Sequence, residues 1–254
     1  MIYDLIFSAT GRSKRIRNAV GSEFGQERKL LDLSAADFSA GDVTFTADDL
    51  CIFTTSVFEG RVPAPAAANM KKLSGNGAKI LLVAVFGNRA VDDCLLEMRD
   101  IATGCGFVPV AAMEASVQHS IITNIRAERP DAEDIAQLKE FARKVKRTLE
   151  EKTDFPPLTL PGNAPYVEMG GIPFKPKANK KCIDCGLCAK KCPVGAIPTE
   201  NPRVTDKNRC ITCMRCVEIC PEDARDFSPM LIKIAHMVMK SKFNGRKPNV
   251  LYLP

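Results

Sequence analysis

An α/β fold with a parallel sheet, followed by a small cysteine-rich domain, is predicted by three observations. Over roughly the first 150 residues strand-like and helix-like stretches alternate, the pattern of consecutive βα units. One of those stretches, Ile80–Phe86, is apolar at every position, as a strand must be when helices cover both faces of its sheet. Composition then changes: prolines recur from Phe155 to Lys177, and behind them one cysteine phrase is written twice.

Each element has its own signal. Ile2–Phe7 reads as the first strand and Ser13–Phe24 as a helix with a basic outer face. Leu30–Leu33 is a short strand, and Asp49–Val57 contains the buried-strand run Leu50-Cys51-Ile52-Phe53. Pro63 and Pro65 open a helix over Ala66–Leu73, because the fixed φ of proline suits a first helical turn. Asp92–Thr103 is amphipathic and stops at Gly104 and Gly106, and Phe107–Ala112 supplies a last strand. Asp131–Glu151 carries Ile135, Leu138, Phe141, Ala142, Val145 and Leu149 on one face, the helical period that buries a stripe. After the cysteines, Ser228–Phe243 reads as a methionine-rich amphipathic helix. Its apolar side, Leu231, Ile234, Ala235 and Val238, is expected to dock on the rest of the protein. The chain thus divides into a domain over 1–152, an extended Pro/Gly-rich linker over 153–178, a cysteine domain over 179–227 and a helix with tail over 228–254.

The 254 residues are 45% hydrophobic and 26% charged, ordinary globular usage with room for one domain and a compact second one. No apolar run approaches the ~20 residues of a membrane span, and Met1–Phe7 enters a strand without a basic leader. A cytoplasmic protein with no membrane insertion is expected. The net charge of +6 has a local emphasis, for Lys180, Lys181, Lys190 and Lys191 flank or interrupt the first cysteine run. Nucleic acid is disfavoured as their partner, since no basic stripe interleaved with aromatics accompanies them. They read instead as a landing site for an acidic partner.

The two cysteine phrases are Cys182-x-x-Cys185-x-x-Cys188-x-x-x-Cys192-Pro193 and Cys210-x-x-Cys213-x-x-Cys216-x-x-x-Cys220-Pro221. This is the ligand spacing of a two-cluster bacterial ferredoxin. Three thiolates two residues apart wrap three corners of an iron–sulfur cube, and the fourth reaches the neighbouring cube. Cys182, Cys185, Cys188 and Cys220 are assigned to one 4Fe–4S cluster, and Cys210, Cys213, Cys216 and Cys192 to the other. Structural zinc also uses Cys-x-x-Cys pairs, but its ribbons do not usually add a third and fourth cysteine at these spacings. Disulfides are disfavoured in a chain of this size read as intracellular. Such cysteines call for a reducing, oxygen-poor interior, that of an anaerobe. Cys51, Cys94, Cys105, His119 and His236 are isolated and read as structural.

A second signal lies near the N-terminus. Ile2–Phe7 leads into Ser8-Ala9-Thr10-Gly11-Arg12-Ser13 and then a helix. Hydroxyls, a glycine that permits close backbone approach and a helix N-terminus make an anion cradle, although the same residues also serve ordinary capping. There is no Gly-Lys-Ser/Thr ending and no Gly-x-Gly-x-x-Gly, so the cradle suits one phosphate monoester rather than a triphosphate or dinucleotide. Two more loops, Thr54–Pro63 and Phe86–Asp93, follow strands where a five-stranded α/β fold places its ligand crevice. With Ser-x-Thr-Gly-x-Ser after the first strand, Val-Phe-x-Gly-Arg-x-Pro after the third and Phe-Gly-Asn-Arg-Ala after the fourth, the domain resembles flavodoxin. As a whole the chain is similar to the flavodoxin–ferredoxin fusion proteins of anaerobic bacteria and archaea.

That resemblance implies a doubly wound, five-stranded parallel sheet in the order 2-1-3-4-5 with FMN in its crevice, followed by a small α+β domain with two 4Fe–4S clusters. It assigns Ser8, Thr10, Gly11, Arg12 and Ser13 to the phosphate. Thr54, Thr55, Phe58 and Gly60 would line one side of the isoalloxazine, and Gly87, Asn88, Arg89 and Asp93 the other. Where flavodoxins sandwich the ring with Trp or Tyr, Phe58 and Val91 stand here, and tryptophan is absent from the sequence. One ring face is therefore expected to be open. The implied function is exchange of electrons between FMN, the clusters and protein partners, such as an acidic ferredoxin or an oxidoreductase. The alternative is a flavin-dependent reductase of a small organic substrate stacked on the open face. No catalytic residue is assigned.

Overall fold

The computed structural model describes the backbone of residues 1–254 and the side chains of all but Pro229, Val238, Met239 and Lys240. The alternating signals resolve into β1 (Ile2–Phe7), α1 (Arg12–Gly21), β2 (Lys29–Asp32), β3 (Leu50–Ser56), α2 (Ala64–Met70), β4 (Lys79–Phe86), α3 (Cys94–Gly104), β5 (Val108–Ser116) and α4 (Ala132–Glu151). These strands lie in the order β2-β1-β3-β4-β5 and are all parallel. The sheet starts at its middle and winds outward both ways, the flavodoxin-like order, which opens a crevice at the C-terminal ends of β1 and β3.

The sheet separates two apolar layers, and β4 serves both. Ile80, Leu82 and Ala84 face α2 and α3 with Leu5, Phe7, Phe53, Met70, Leu95 and Met98. Leu81, Val83 and Val85 face α1 and α4 with Ile16, Val20, Ile52, Leu138, Ala142 and Val145. This two-sided burial is why β4 is apolar from Ile80 to Phe86. Each buried Leu or Ile contributes about 1.5–3 kcal/mol, so a one-residue slip, which exchanges the two faces, is strongly disfavoured. α4 starts at a capping box: Asp131 accepts from the Asp134 N–H at 2.9 Å, and Asp134 accepts from the Asp131 N–H at 3.1 Å.

Three features differ from the sequence expectation. The sheet has six strands, not five, because β8 (Val250–Tyr252) returns from the far end of the chain and pairs antiparallel with β5. Three residues carry no readable period. Their register is set instead by Asn249, whose side chain accepts from the Ser116 N–H at 2.9 Å and donates to Asp134 and Gln137. β5 also runs on past Ala112, to Ser116.

The stretch between α4 and β6 (Lys177–Ala178) is not a free spacer. Leu158 and Leu160 are buried in the first core, and Asp93 accepts from the N–H groups of Asn163 and Val167. It is a strap laid across α3.

The cysteine segment contains α5 (Leu187–Lys190), α6 (Arg215–Glu218) and β7 (Arg225–Asp226), with β6 and β7 pairing antiparallel. Behind it, α7 (Pro229–Met239) ends in a 3₁₀ turn, Lys240–Phe243. Its docking is partial. Ala235 packs on the small core of Ile122, Ile125 and Phe243, whereas Ile234 stays 43% exposed and Met237 74%. The side chain of Val238 lies outside the described residues. No helix among the described residues is long and apolar enough to cross a membrane.

Candidate functional site

The repeat in the cysteine segment is also a repeat of backbone shape. Asp184 and Thr212, Gly186 and Met214, and Gly195 and Asp223 are matched pairs, and all six have positive φ. Gly186 and Met214 are the N-caps of α5 and α6. Such conformations disfavour most side chains, and here they turn each Cys-x-x-Cys loop around a void. One cavity is lined by Cys182, Cys185, Cys188 and Cys220. The other is lined by Cys210, Cys213, Cys216 and Cys192. Each set thus combines three cysteines of one run with the last of the other. The Ala196 N–H donates to Cys192 Sγ at 3.3 Å, and its counterpart Ala224 donates to Cys220 Sγ at 3.2 Å.

Four sulfurs line each cavity, a donor set that fits a 4Fe–4S cube. Burial pushes the Cys213 thiol up to about 12 and that of Cys216 up to about 11, Arg225 pulling the latter back. Thiolate ligation here therefore displaces protons that free thiols would keep.

The second site is a crevice of about 500 Å³ at the C-terminal ends of the central strands. Of the sequence-predicted residues, Arg12, Phe58, Gly87 and Arg89 line it. The loop from Ser8 to Ser13 adjoins it through two lining hydroxyls: Ser13 Oγ lies 2.8 Å from Ser56 Oγ, and Thr10 Oγ1 lies 3.5 Å from Ser120 Oγ. Ser8 Oγ accepts from the Lys14 N–H at 3.2 Å. Gly11 has φ +75°, and a methyl group there would meet nothing within 4 Å, so the cradle has an open side.

Thr54, Thr55, Gly60, Asn88 and Asp93 do not line the crevice. Both threonines are buried inside β3, with Thr54 Oγ1 lacking a partner. Gly60 (φ +86°) lets the loop after β3 press on Asp92, whose carboxylate a Cβ would strike. Asn88 is buried and holds the tail, donating to the carbonyls of Phe243 and Gly245 at 3.0 Å each. Asp93 holds the strap. Val91 is buried in the first core rather than set against the crevice.

Sequence reasoning missed four contributors, one of them the C-terminal helix and its turn with Ile234, Ala235 and Phe243. Gln118–Ile122 follow β5, and the strand-end rule that selected the other loops could have found them. Gly171–Phe174 of the strap and Ile211–Cys213 of the cysteine segment also line the crevice, and no local signal announces either. His119 is neutral at pH 7. Its Nδ1 accepts from the N–H groups of Ile121 and Ile122, at 3.2 and 3.0 Å. Burial, with help from the Arg12 and Arg89 charges, draws its pKa down to about 4.

Crevice and cavities meet. Cys213 lines both the crevice and one cysteine cavity. Beside it, Arg215 donates to the carbonyls of Ser8 (2.7 Å), Ala9 (3.4 Å), Ser34 (3.0 Å) and Lys191 (3.4 Å), and also to Ser34 Oγ. One guanidinium thereby ties the second cysteine run to the first and to the loops after β1 and β2.

The fold and these sites define a class: a flavodoxin-like α/β domain joined to a 4Fe–4S segment. Residues 181–225 match the family described as 4Fe-4S dicluster domain. Among solved structures the chain is similar to the flavodoxin of Streptococcus pneumonia TIGR4, with 16% identity and a TM-score of 0.39 over 58% of this chain and 99% of that one. It is similar to the rubredoxin oxygen:oxidoreductase of Desulfovibrio gigas, with 17% identity and a TM-score of 0.38 over 58% of this chain and 36% of that one. A flavodoxin from the domain Archaea gives 10% identity and a TM-score of 0.36 over 59% and 99%. No curated protein matches the chain.

Proposed function

We propose that the protein is an electron-transfer flavoprotein, with FMN in the crevice, two 4Fe–4S clusters in the cysteine cavities, and protein redox partners. The observation that carries this reading is Cys213, which belongs to both spaces at once. A cluster passes one electron at a time, whereas a flavin holds one or two, so joining them converts between single and paired electrons.

The residues divide the work. Cys182, Cys185, Cys188 and Cys220 would hold one cluster, and Cys210, Cys213, Cys216 and Cys192 the other. Ser8, Thr10, Gly11, Arg12 and Ser13 would receive the phosphate, leaving Phe58, Gly87 and Arg89 to bound the ring. Cys185 is exposed, as are Lys180, Lys181, Lys190 and Lys191 around it. An acidic partner docking there would meet the first cluster, with the second between it and the crevice. A reductase reading is favoured by one observation. A further cavity of about 440 Å³, lined by Asp92, Glu114, Asn163 and Lys247 among others, adjoins the crevice at Arg89.

Anaerobic purification with iron and sulfide quantitation, followed by mass identification of the cofactor released on denaturation, tests the reading. FMN and about eight irons per chain are expected. Recovery of FAD, or of no flavin after anaerobic reconstitution, would count against it.

A further inference from the structure

The two halves of the cysteine segment match in backbone but differ at one buried position. After Cys192-Pro193 the first half reads Ala196-Ile197, whereas after Cys220-Pro221 the second reads Ala224-Arg225. Ile197 lines the cavity of Cys210, Cys213, Cys216 and Cys192. Arg225 lines the cavity of Cys182, Cys185, Cys188 and Cys220, and is only 2% exposed.

The surroundings of Arg225 do not balance its charge. It donates to the carbonyls of Pro202 and Pro176, to Thr205 Oγ1 and, at 3.7 Å, to Cys188 Sγ. Its Nε is buried with no partner at all. No carboxylate among the described residues pairs with it. A guanidinium buried without an anion is strongly unfavourable, because it loses its hydration and gains no opposite charge. A neutral side chain, as at Ile197, would avoid that cost.

We propose that Arg225 is the built-in counter-charge of the first cluster and sets its reduction potential above that of the second. The inference rests on the two-cluster reading. Each one-electron reduction adds one negative charge to a cluster, and a fixed cation in a water-poor site favours the more negative state. N–H donors to the sulfurs act in the same direction. The second cavity has Ile197 at the equivalent place and is not lined by Arg225, which reaches it at the Cys216 sulfur alone, so the first cavity, which Arg225 lines, receives the larger share. The lysine-ringed first cluster then becomes the site that retains an incoming electron, and the second becomes the stronger reductant, facing the crevice.

The test uses the anaerobic full-length holoprotein and EPR-monitored redox titration, with the first cluster identified as the signal lost in Cys185→Ala. Arg225→Gln keeps N–H donors and removes the charge; Arg225→Lys keeps the charge. In the Gln variant the one-electron equilibrium of the first cluster should shift at least tenfold toward the oxidised form, about 59 mV, with a smaller shift at the second. The Lys variant should stay near the parent. Loss of the first cluster from the Gln variant but not the Lys variant would show the same compensation at the level of assembly. Unchanged midpoints in the Gln variant with both clusters present, or loss of the first cluster from both variants, would overturn the proposal. A parent protein without clusters would sink the proposed function itself, a result distinct from either.

Discussion

In the cysteine segment each cavity is built from two short runs that follow one another in the chain. The crevice draws instead on loops after four strands, on the strap, on the cysteine segment and on the tail. The first kind of site depends on local backbone turns, repeated pair by pair from Asp184 and Thr212 onward. The second exists only once distant segments have packed, and it is held by single polar side chains that bind backbone far away: Asn88 to the tail, Asp93 to the strap, Arg215 to the loops after β1 and β2. Damage should therefore stay local in the cysteine segment and spread in the crevice.

The sharpest way to break this contrast is at Cys192, the fourth cysteine of its run. Cys192→Ala should remove the cluster assigned to Cys210, Cys213 and Cys216 and leave the other, so iron falls from about eight per chain to about four. Iron analysis with EPR reads this directly. Loss of the signal tied to Cys182, Cys185 and Cys188 would refute the crossed assignment.

A smaller effect is expected at Arg215, where the two regions are joined. Arg215→Ala removes five donor contacts to backbone and hydroxyl groups. Flavin affinity should weaken about tenfold, or roughly 1.4 kcal/mol, with iron content unchanged. Fluorescence titration with FMN measures it, and unaltered affinity would mean that crevice and clusters are energetically independent.

The smallest effect concerns the surface. Replacing Lys180, Lys181, Lys190 and Lys191 with Glu should slow electron exchange with an acidic partner at low ionic strength. The difference should shrink as salt reduces the Debye length to about 8 Å at 0.15 M. Anaerobic stopped-flow at two salt concentrations checks this, and equal rates for parent and variant at both would end the docking idea.

The same contrast explains what could be read in the sequence. Ligand spacing is a local property, so the eight cysteines that line the two cavities stood out as two phrases. Alternation and β4, whose two-sided burial leaves a continuous apolar run, pointed to the parallel α/β class, while the strand order was what the resemblance to flavodoxin implied. Arg12, Phe58, Gly87 and Arg89 were named by the resemblance, and they line the crevice because loops at strand ends face it. Asn88 and Asp93 sit in the same loop, yet their side chains turn away to bind backbone of segments that no local pattern connects to them. The strap shows the complementary failure. Its prolines signalled an extended chain, which it is, but burial of Leu158 and Leu160 depends on an exposed groove over α3 that only the folded sheet creates.

The position of β8 bears on how the molecule is made. On a growing chain β5 emerges with one edge covered by β4 and the other bare, and a bare edge invites pairing with other chains. Its proper partner, Val250–Tyr252, comes only after the whole cysteine segment has been synthesised. Until then the segment is a long loop whose closure is entropically opposed, and each ordered part shortens the loop that remains. Ordering of the cysteine segment thus favours closure of the sheet, though by little, since halving a loop is worth only about 0.6 kcal/mol. A chain that lacks Val250–Tyr252 is expected to keep an open β5 edge, recognisable by chaperones and proteases.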